Sequence, residues 1–188
     1  MELIPLWQQG GAELIIRELA REEIEILWEI DRSELTDGVY YFRKGALVLE
    51  SEQYDISGWS EGQAEACTPG LYECYDRGGT FFGAFEGTMI VGAAVLEGRF
   101  IGKSKDQLQL TFLHVGRDYR KRGLGKTLFR KSSEQAAKLG AARLYISATP
   151  SENSVDFYLH LGCVVTQEID RKQFELEPDD IHLEYRIP

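Results

Sequence analysis

Two glycines and a group of basic side chains lie together at residues 120–126, which read RKRGLGK. The segment directly after them repeats apolar residues at helical spacing, so the glycines lie where a helix begins. A helix start carries unpaired backbone N–H groups and the positive end of the helix dipole, and glycine there lets a ligand approach the main chain closely. These features predict an anion-binding turn, and a phosphate ester is the anion that such turns commonly hold.

The charge around this turn supports the same interpretation. Residues 117–131 hold seven basic side chains and one acid, Asp118, in a chain whose net charge is −10. Cations at a helix start oppose the dipole unless an anion is bound. From charge alone, a solvated basic face is an equally good interpretation. The overall negative charge argues against a general nucleic-acid-binding protein, because such binding neutralises many phosphates.

Two other glycine-rich phosphate sites do not fit the sequence. The end of a P-loop, GK[ST], occurs at 125–127, but Arg120 stands where that motif requires its first glycine. A dinucleotide-binding fingerprint fails as well, because its third glycine would fall at Leu128.

A strand at 107–115 and a helix at 123–139 are predicted on either side of the turn. The strand begins with alternating polar and apolar residues, which predicts that Gln107, Gln109 and Thr111 line one face. The alternation stops at 113–115, and we expect a β-bulge there, a distortion that is common beside active sites.

Further elements follow from periodicity and turn residues. They are a strand at 14–19, a helix at 22–33, hairpins that turn at 44–45 and 86–87, strands at 142–148, 163–169 and 181–187, and a helix at 152–161. Without a repeat or a linker, these elements predict one domain over residues 1–188. It contains an atypical insert at about 34–79, in which only the first hairpin is assigned.

Composition restricts the class of protein. The 43% hydrophobic and 28% charged residues are typical of a globular fold. The longest apolar run, 89–96, is too short to span a membrane, and the first fourteen residues lack the features of a signal peptide. Three cysteines without CxxC spacing indicate neither a disulfide framework nor a metal site. We therefore expect a cytoplasmic protein that contacts no membrane.

The order of strand, RxxGxG turn, helix, strand, asparagine and Phe-Tyr before a glycine resembles the Gcn5-related N-acetyltransferase (GNAT) superfamily. The matching residues are 120–125, Asn153, Phe157, Tyr158 and Gly162, within a core of about 80–170. The resemblance implies an α/β (α+β) fold. Its mixed, mostly antiparallel central sheet would be splayed between the fourth and fifth strands, with helices on both faces.

The resemblance also implies acetyl-coenzyme A as the cosubstrate, with no metal. The turn would hold the pyrophosphate, and the end of the preceding strand would hold the pantetheine arm through its main chain. The residues implied as cofactor-binding are Leu113, His114, Val115, Arg120, Lys121, Arg122, Gly123, Leu124, Gly125, Lys126 and Asn153. Tyr158 takes the place of the general acid, since a phenol stays protonated at pH 7 and can donate to a thiolate.

Several of these side chains have plainer interpretations. Asn153 fits equally well as a residue that caps or turns the helix start. Tyr158 could be a core residue, and a lone histidine such as His114 is more often packed than catalytic, so only its backbone is assigned to the site. His160 and His182 are predicted to lie on the surface.

The implied function is an N-acetyltransferase that moves an acetyl group directly from acetyl-coenzyme A to a primary amine of a small molecule or peptide. The alternative is a non-catalytic coenzyme A-binding sensor or scaffold. Related sequences carry a glutamate or histidine base where this chain has Gln109 and Thr111, and neither of these is a base at neutral pH.

Acidic residues interleave with aromatic ones between positions 31 and 59. The acids are Asp31, Glu34, Asp37, Glu50, Glu52 and Asp55. This mixture suits an ammonium group, and a solvated acidic surface explains it equally well. The expected partner is an amine acceptor, which would be cationic if this segment lines its site. The family resemblance also suggests a homodimer. No nucleic acid is expected.

Overall fold

The computed structural model describes residues 13–188. Its strands are β1 (Leu14–Glu18), β2 (Glu34–Arg43), β3 (Ala46–Ile56), β4 (Thr80–Glu86), β5 (Met89–Leu96), β6 (Gln107–Val115), β7 (Arg143–Ala148), β8 (Val164–Val165) and β9 (Ile181–Arg186). Seven of them form a central sheet in the order β1-β4-β5-β6-β7-β9-β8, and β2 and β3 pair as a separate hairpin.

The helices are α1 (Gln63–Asp76), α2 (Leu124–Lys138), α3 (Glu152–His160) and α4 (Arg171–Leu176), with 3₁₀ helices at Arg21–Glu29 and Arg117–Tyr119. The helices predicted at 123–139 and 152–161 are confirmed to within a residue at each end. The segment predicted as a helix at 22–33 is instead the first 3₁₀ helix, and the strand predicted at 163–169 is limited to β8. Among residues 13–188, no helix is both long and apolar enough to cross a membrane.

The sheet opens between β6 and β7. These two strands run parallel and pair only over Gln107–Gln109 and Arg143–Tyr145. Beyond that point β6 continues to Val115 bonded only to β5, and β7 continues to Ala148 bonded only to β9. The gap between the two strand ends is the splay that the sequence resemblance implies, and β6 and β7 are the fourth and fifth strands once the separate hairpin is left out.

Helices pack on both faces of the sheet. On one face, Leu124 and Leu128 of α2 and Val155 of α3 share a core with the sheet. On the other face, a second core contains Ile24 and Leu27 of the first 3₁₀ helix. All strand pairs in the central sheet except β6 with β7 are antiparallel. The predicted fold class is therefore confirmed.

A β-bulge in β6 lies at Thr111 rather than at the predicted 113–115. Val95 pairs with Phe112 and the next residue, Leu96, pairs with Leu110, so Thr111 is the extra residue. One extra residue moves every later side chain to the opposite face. Phe112 therefore packs in the second core, with the first 3₁₀ helix, although simple alternation predicted that it shares a face with Leu108 and Leu110.

The insert at 34–79 consists of the β2–β3 hairpin and α1. The hairpin turns at Lys44 and Gly45 as predicted, since both have positive φ angles. It is tied to the main fold where β7 runs into α3: the Tyr40 N–H donates to the carbonyl of Pro150 at 2.7 Å, and the Tyr40 hydroxyl donates to Asp156 at 2.8 Å. Helix α1 was not predicted, because Pro69 and Gly70 lie in its interior.

Candidate functional site

The turn before α2 adopts a backbone conformation that leaves its N–H groups accessible. Lys121 and Gly123 have positive φ angles of 60° and 83°, and Gly123 directly precedes the helix. Within the described residues, no side chain caps this helix start. A Cβ added to Gly123 would meet no atom within 4 Å. The first amides of α2 are therefore open to an anion, and the anion site itself stays a prediction.

Gly125 is required for a different reason. A Cβ at this position would come within 3.2 Å of the Phe157 ring and 3.6 Å of Val115. The missing side chain thus lets the start of α2 pack closely against α3 and the end of β6. The sequence assigned both glycines to close approach of a ligand, but in Gly125 the close neighbour is the protein itself.

The basic side chains around the turn divide into two groups. Arg120 donates to the carbonyls of Val115 at 3.0 Å and Ser33 at 2.9 Å, so its guanidinium holds the end of β6 against the segment before β2. Lys121, Arg122 and Lys126 are exposed around the helix start. These three cations create the local positive field that favours a phosphate ester.

The end of β6 borders the gap in the sheet. Leu113, His114 and Val115 pair with β5 along one edge only, so the other edge of this segment has no strand partner among the described residues. Main-chain groups on that edge are available to an extended ligand, as in the addition of a strand to a sheet edge. The carbonyl of Val115 is the exception, because it accepts from Arg120.

The side chain of His114 is packed, which was the plainer of its two interpretations. Its ring lies 4.6 Å from the Phe112 ring and 5.0 Å from the Trp59 ring, measured between centroids. Burial lowers the pKa of His114 to about 3, and the nearby positive charges of Arg32 and Arg120 act in the same direction. The imidazole is therefore neutral at pH 7 and a very weak base.

Asn153 does not cap α3. The residue before the helix, Ser151, performs that role: its hydroxyl accepts from the Ser154 N–H at 3.3 Å. Asn153 lies in the first turn and is exposed. Its amide is thus accessible from solvent, and capping is not the reason for an asparagine here.

Tyr158 lies in α3 on the same side of the sheet as α2. Its ring packs at 5.1 Å from Phe157 and 6.2 Å from Phe129, and the residue is 7% exposed. Burial raises the pKa of Tyr158, and the negative charge of Asp180 is a further cause. No other described residue hydrogen bonds to its hydroxyl. The phenol is therefore protonated at physiological pH and able to donate.

The two side chains at the positions of the family's base are not equivalent. Gln109 is buried, and its amide donates to Gln173 of α4 at 3.0 Å. Thr111 is exposed because it is the bulged residue. Neither side chain takes up a proton at neutral pH, in agreement with the expectation from the sequence.

An unexpected carboxylate lies at the splayed end of β7. Asp180, in the loop before β9, accepts from the Ser147 hydroxyl at 3.0 Å. Burial raises the pKa of Asp180 to about 7, and the negative charge of Glu177 adds to this effect. Asp180 was not predicted as a site residue, although it belongs to an acidic pair directly before the last strand.

His182, two residues further on, is buried rather than on the surface as predicted. It is 5% exposed, and its Nδ1 shares a hydrogen bond of 2.8 Å with the Tyr145 hydroxyl. The prediction failed because α4 covers this part of β9: the ring of Phe174 lies 5.8 Å from His182. His160 is exposed as predicted.

The acidic residues of the insert do not form one cluster. Hydrogen bonds from the side chain and the backbone N–H of Ser33 lower the pKa of Asp31. Glu50 pairs with Arg43, and Glu52 accepts from Tyr41 on the hairpin surface. Among the described residues, no three His, Cys, Asp or Glu side chains come together as metal ligands do.

Several solved structures are similar to this chain over almost their whole length. Nourseothricin acetyltransferase has a TM-score of 0.69 at 16% identity and covers 93% of this chain and 99% of its own. The putative streptothricin acetyltransferase from Bacillus anthracis, in complex with acetyl-coenzyme A, has a TM-score of 0.67 at 17% identity with the same coverage. PaiA N-acetyltransferase from Thermoplasma acidophilum, in complex with coenzyme A, has a TM-score of 0.59 at 20% identity, over 92% of this chain and 98% of its own.

Identities this low show a shared fold and no more. Among curated protein sequences, no significant match is found. The sequence model of the acetyltransferase (GNAT) family, however, matches residues 45–163, which is more than half of the chain. This chain therefore belongs to the GNAT family and is an acetyl-coenzyme A-dependent acetyltransferase.

Proposed function

We propose that this protein transfers an acetyl group from acetyl-coenzyme A directly to a primary amine of a small molecule or peptide. The observation that carries the proposal is the opening of the sheet between β6 and β7 directly beside the uncapped start of α2. This arrangement offers a phosphate site and an unpaired strand edge next to one another. An extended phosphate-bearing thioester needs both.

The residues around the opening fit acetyl-coenzyme A. The amides of Lys121–Lys126 would hold the pyrophosphate, with Lys121, Arg122 and Lys126 supplying positive charge and Arg120 fixing the turn through its two carbonyl contacts. The main chain of Leu113–Val115 and the exposed amide of Asn153 would bond the pantetheine arm. When bound, this cosubstrate supplies the activated acetyl group.

Tyr158 is the proposed general acid. Its hydroxyl is protonated at pH 7, because burial raises its pKa, and it has no partner among the described residues. A proton donated to the departing sulfur prevents the thiolate from attacking the newly formed amide. The pKa of Tyr158 lies above that of a thiol, so its phenolate is a stronger base than the thiolate. The phenolate must therefore take up a proton again within the same turnover.

A cationic acceptor is favoured by the charges near the opening. Glu152 and Asp156 on α3 face the hairpin: a Cβ on Gly38 would come within 2.5 Å of Glu152 Oε2, and Asp156 binds the hydroxyl of Tyr40. With a net charge of −10 on the whole chain, these acids raise the local concentration of a cationic amine around the opening.

Residues 1–188 are proposed to form one domain. The insert supports this, because Trp59 donates to the carbonyl of Ile30 at 2.9 Å and Trp28 donates to Thr68 of α1 at 2.8 Å. Residues 1–12 lie outside the described part.

We further propose a cytoplasmic enzyme, since the three cysteines are free thiols. We also propose a homodimer, which analytical ultracentrifugation would test.

The proposed reaction is tested with a panel of amines and acetyl-coenzyme A, followed by mass spectrometry of the products. The panel includes polyamines, amino acids, peptides, aminoglycosides, nourseothricin and streptothricin, the last two because acetyltransferases named for them share this fold. We expect one acetyl group on an amine nitrogen of at least one cationic compound. Tight binding of acetyl-coenzyme A without acetylation of any amine would instead support a non-catalytic sensor or scaffold.

A further inference from the structure

We propose that Asp180 is the general base that removes the proton from the acceptor's ammonium group. This assignment rests on the proposed function, because it requires an amine acceptor. It gives the reaction a base that neither Gln109 nor Thr111 can provide. That base lies in the loop before β9, outside β6, the strand that carries the base in related sequences.

The position of Asp180 follows from the strand pairing. Ile181, the next residue, pairs with Ala148 at the end of β7. Asp180 therefore lies at the end of β7 that has separated from β6. Its carboxylate accepts from Ser147, which is also beyond the last residue of β7 that pairs with β6, Tyr145. The carboxylate is thus fixed to Ser147 at the splayed end of β7, the strand that borders the gap.

Asp180 and Tyr158 approach the gap from opposite faces of the sheet. Leu144, Ile146 and Ala148 of β7 face the core that contains Tyr158. Ser147 alternates with them, so its side chain points to the other face and carries Asp180 there. An acceptor that enters from the face of Asp180 can meet a thioester held beside Tyr158.

The other titratable groups near the gap are unsuited to this role. His114 is neutral, with its pKa lowered to about 3 by burial and by Arg32 and Arg120. Asp156 accepts from the hydroxyl of Tyr40. His182, which lies opposite Ser147 in β9, is buried, and burial lowers its pKa; its Nδ1 is bonded to Tyr145.

The surroundings of Asp180 make its carboxylate a better base than an ordinary aspartate. Burial raises its pKa to about 7, and the negative charges of Glu177 and Asp179 in the same loop act in the same direction, whereas the hydrogen bond from Ser147 lowers it. A base is most effective when its pKa lies near the working pH, because it is then both deprotonated and strongly basic.

The proton balance links Asp180 to Tyr158. Asp180 takes one proton from the ammonium, the nitrogen–carbon bond forms, and the carbon–sulfur bond breaks as Tyr158 gives its proton to the sulfur. The second proton that the nitrogen loses restores Tyr158, and Asp180 releases its own to solvent.

The first test is Asp180→Asn, which keeps the size of the side chain and an oxygen for Ser147. For the amine that the wild type acetylates best, kcat should fall about 10²- to 10⁴-fold while calorimetry shows acetyl-coenzyme A binding unchanged. The matched control is Glu175→Gln, a carboxylate of α4 paired with Arg171 on the surface, which should behave as the wild type. A near-normal kcat in Asp180→Asn would overturn the assignment.

The second test moves the pKa of the base without removing it. Activity should rise as pH rises through this pKa, because only the carboxylate accepts a proton. Glu177→Gln removes a negative charge and should shift the acidic limb of kcat/KM to lower pH. Ser147→Ala removes a stabilising hydrogen bond and should shift it to higher pH.

All enzymes are compared with the same acceptor, so ionisation of the amine contributes equally to every pH profile. A difference in the acidic limb between variants therefore reports an ionising group of the enzyme. Acidic limbs that coincide in all three enzymes would overturn the assignment, since the ionisation of a merely structural Asp180 does not contribute to the pH dependence of kcat/KM. A wild type that acetylates no amine would contradict the proposed function and the assignment together, whereas an active Asp180→Asn variant would contradict the assignment alone.

Discussion

The start of α2 packs against the end of β6, and the loop before β9 lies beside the end of β7. These two strand ends border the gap, and the two regions offer different groups to a ligand there. The start of α2 offers backbone N–H groups, whose position follows from the positive φ of Gly123. The loop before β9 offers the carboxylate of Asp180, which depends on the pairing of β9 with β7 and on Ser147. The first region is formed by residues that are adjacent in sequence, and the second by strands that are far apart in sequence. Substitutions in the first should therefore affect binding, and substitutions in the second should affect chemistry.

The largest effect on the chemical step is expected from Tyr158→Phe, which probes the face opposite Asp180. This change keeps the packing against Phe129 and Phe157 and removes only the hydroxyl. Affinity for acetyl-coenzyme A should be unchanged, while kcat falls about 10²- to 10⁴-fold. Phe157→Leu, which alters the neighbouring ring but keeps the hydroxyl, is the control. A normal single-turnover rate in the Tyr158→Phe variant would show that Tyr158 only packs.

A second prediction isolates binding at the start of α2. Gly123→Leu should reduce the affinity for coenzyme A at least about tenfold, or about 1.4 kcal/mol, because the new side chain covers the open amides. Gly140, just beyond the other end of α2, also has a positive φ and open space around it. Gly140→Leu therefore carries a similar backbone strain of about 1–2 kcal/mol without covering the site. Equal affinities in the two variants, measured by calorimetry, would contradict the site.

The third prediction concerns stability at the loop before β9. Burial raises the pKa of Asp180 above that of the unfolded chain, so its ionised form opposes folding, and stability falls as pH rises from about 4 to about 7. Asp180→Asn removes this cost and should raise the free energy of unfolding at pH 8 by on the order of 1 kcal/mol, with little change at pH 4. Urea unfolding at both pH values measures it. A lower free energy of unfolding for Asp180→Asn than for the wild type at pH 8 would show that the carboxylate stabilises the loop before β9.

The smallest effect is expected at the hairpin, where charge acts at a distance. Asp37→Asn removes an exposed charge beside Gly38, which packs on Glu152. The KM for a cationic acceptor should rise about two- to threefold at low salt, and the difference should disappear at high salt because surface charges are screened. Glu50→Gln, which removes a charge already paired with Arg43, should have no effect. A preference of the enzyme for anionic acceptors would contradict this prediction.

The difference between the two regions also explains what the sequence could predict. The turn at 120–126 and helix α2 are local features, set by glycine conformation and helical periodicity, and they were predicted from the residues themselves. The role of Tyr158 was implied by the family resemblance and stays a prediction. The bulge at Thr111 was misplaced by two residues, because it depends on how β6 pairs with β5. Asp180 and the buried His182 were missed for a related reason. The environment of Asp180 is created by β7, which is remote from it in sequence. His182 is covered by α4, a short helix without a regular sequence pattern.

The proposed site is tested most directly by a crystal structure of the protein with acetyl-coenzyme A. We predict that the pyrophosphate contacts the amides of 121–126 and that the thioester lies in the gap between β6 and β7. Its sulfur should be within hydrogen-bonding distance of the Tyr158 hydroxyl, with the carboxylate of Asp180 on the opposite face. A thioester bound outside this gap, with Tyr158 still packed and no contact to the sulfur, would contradict it.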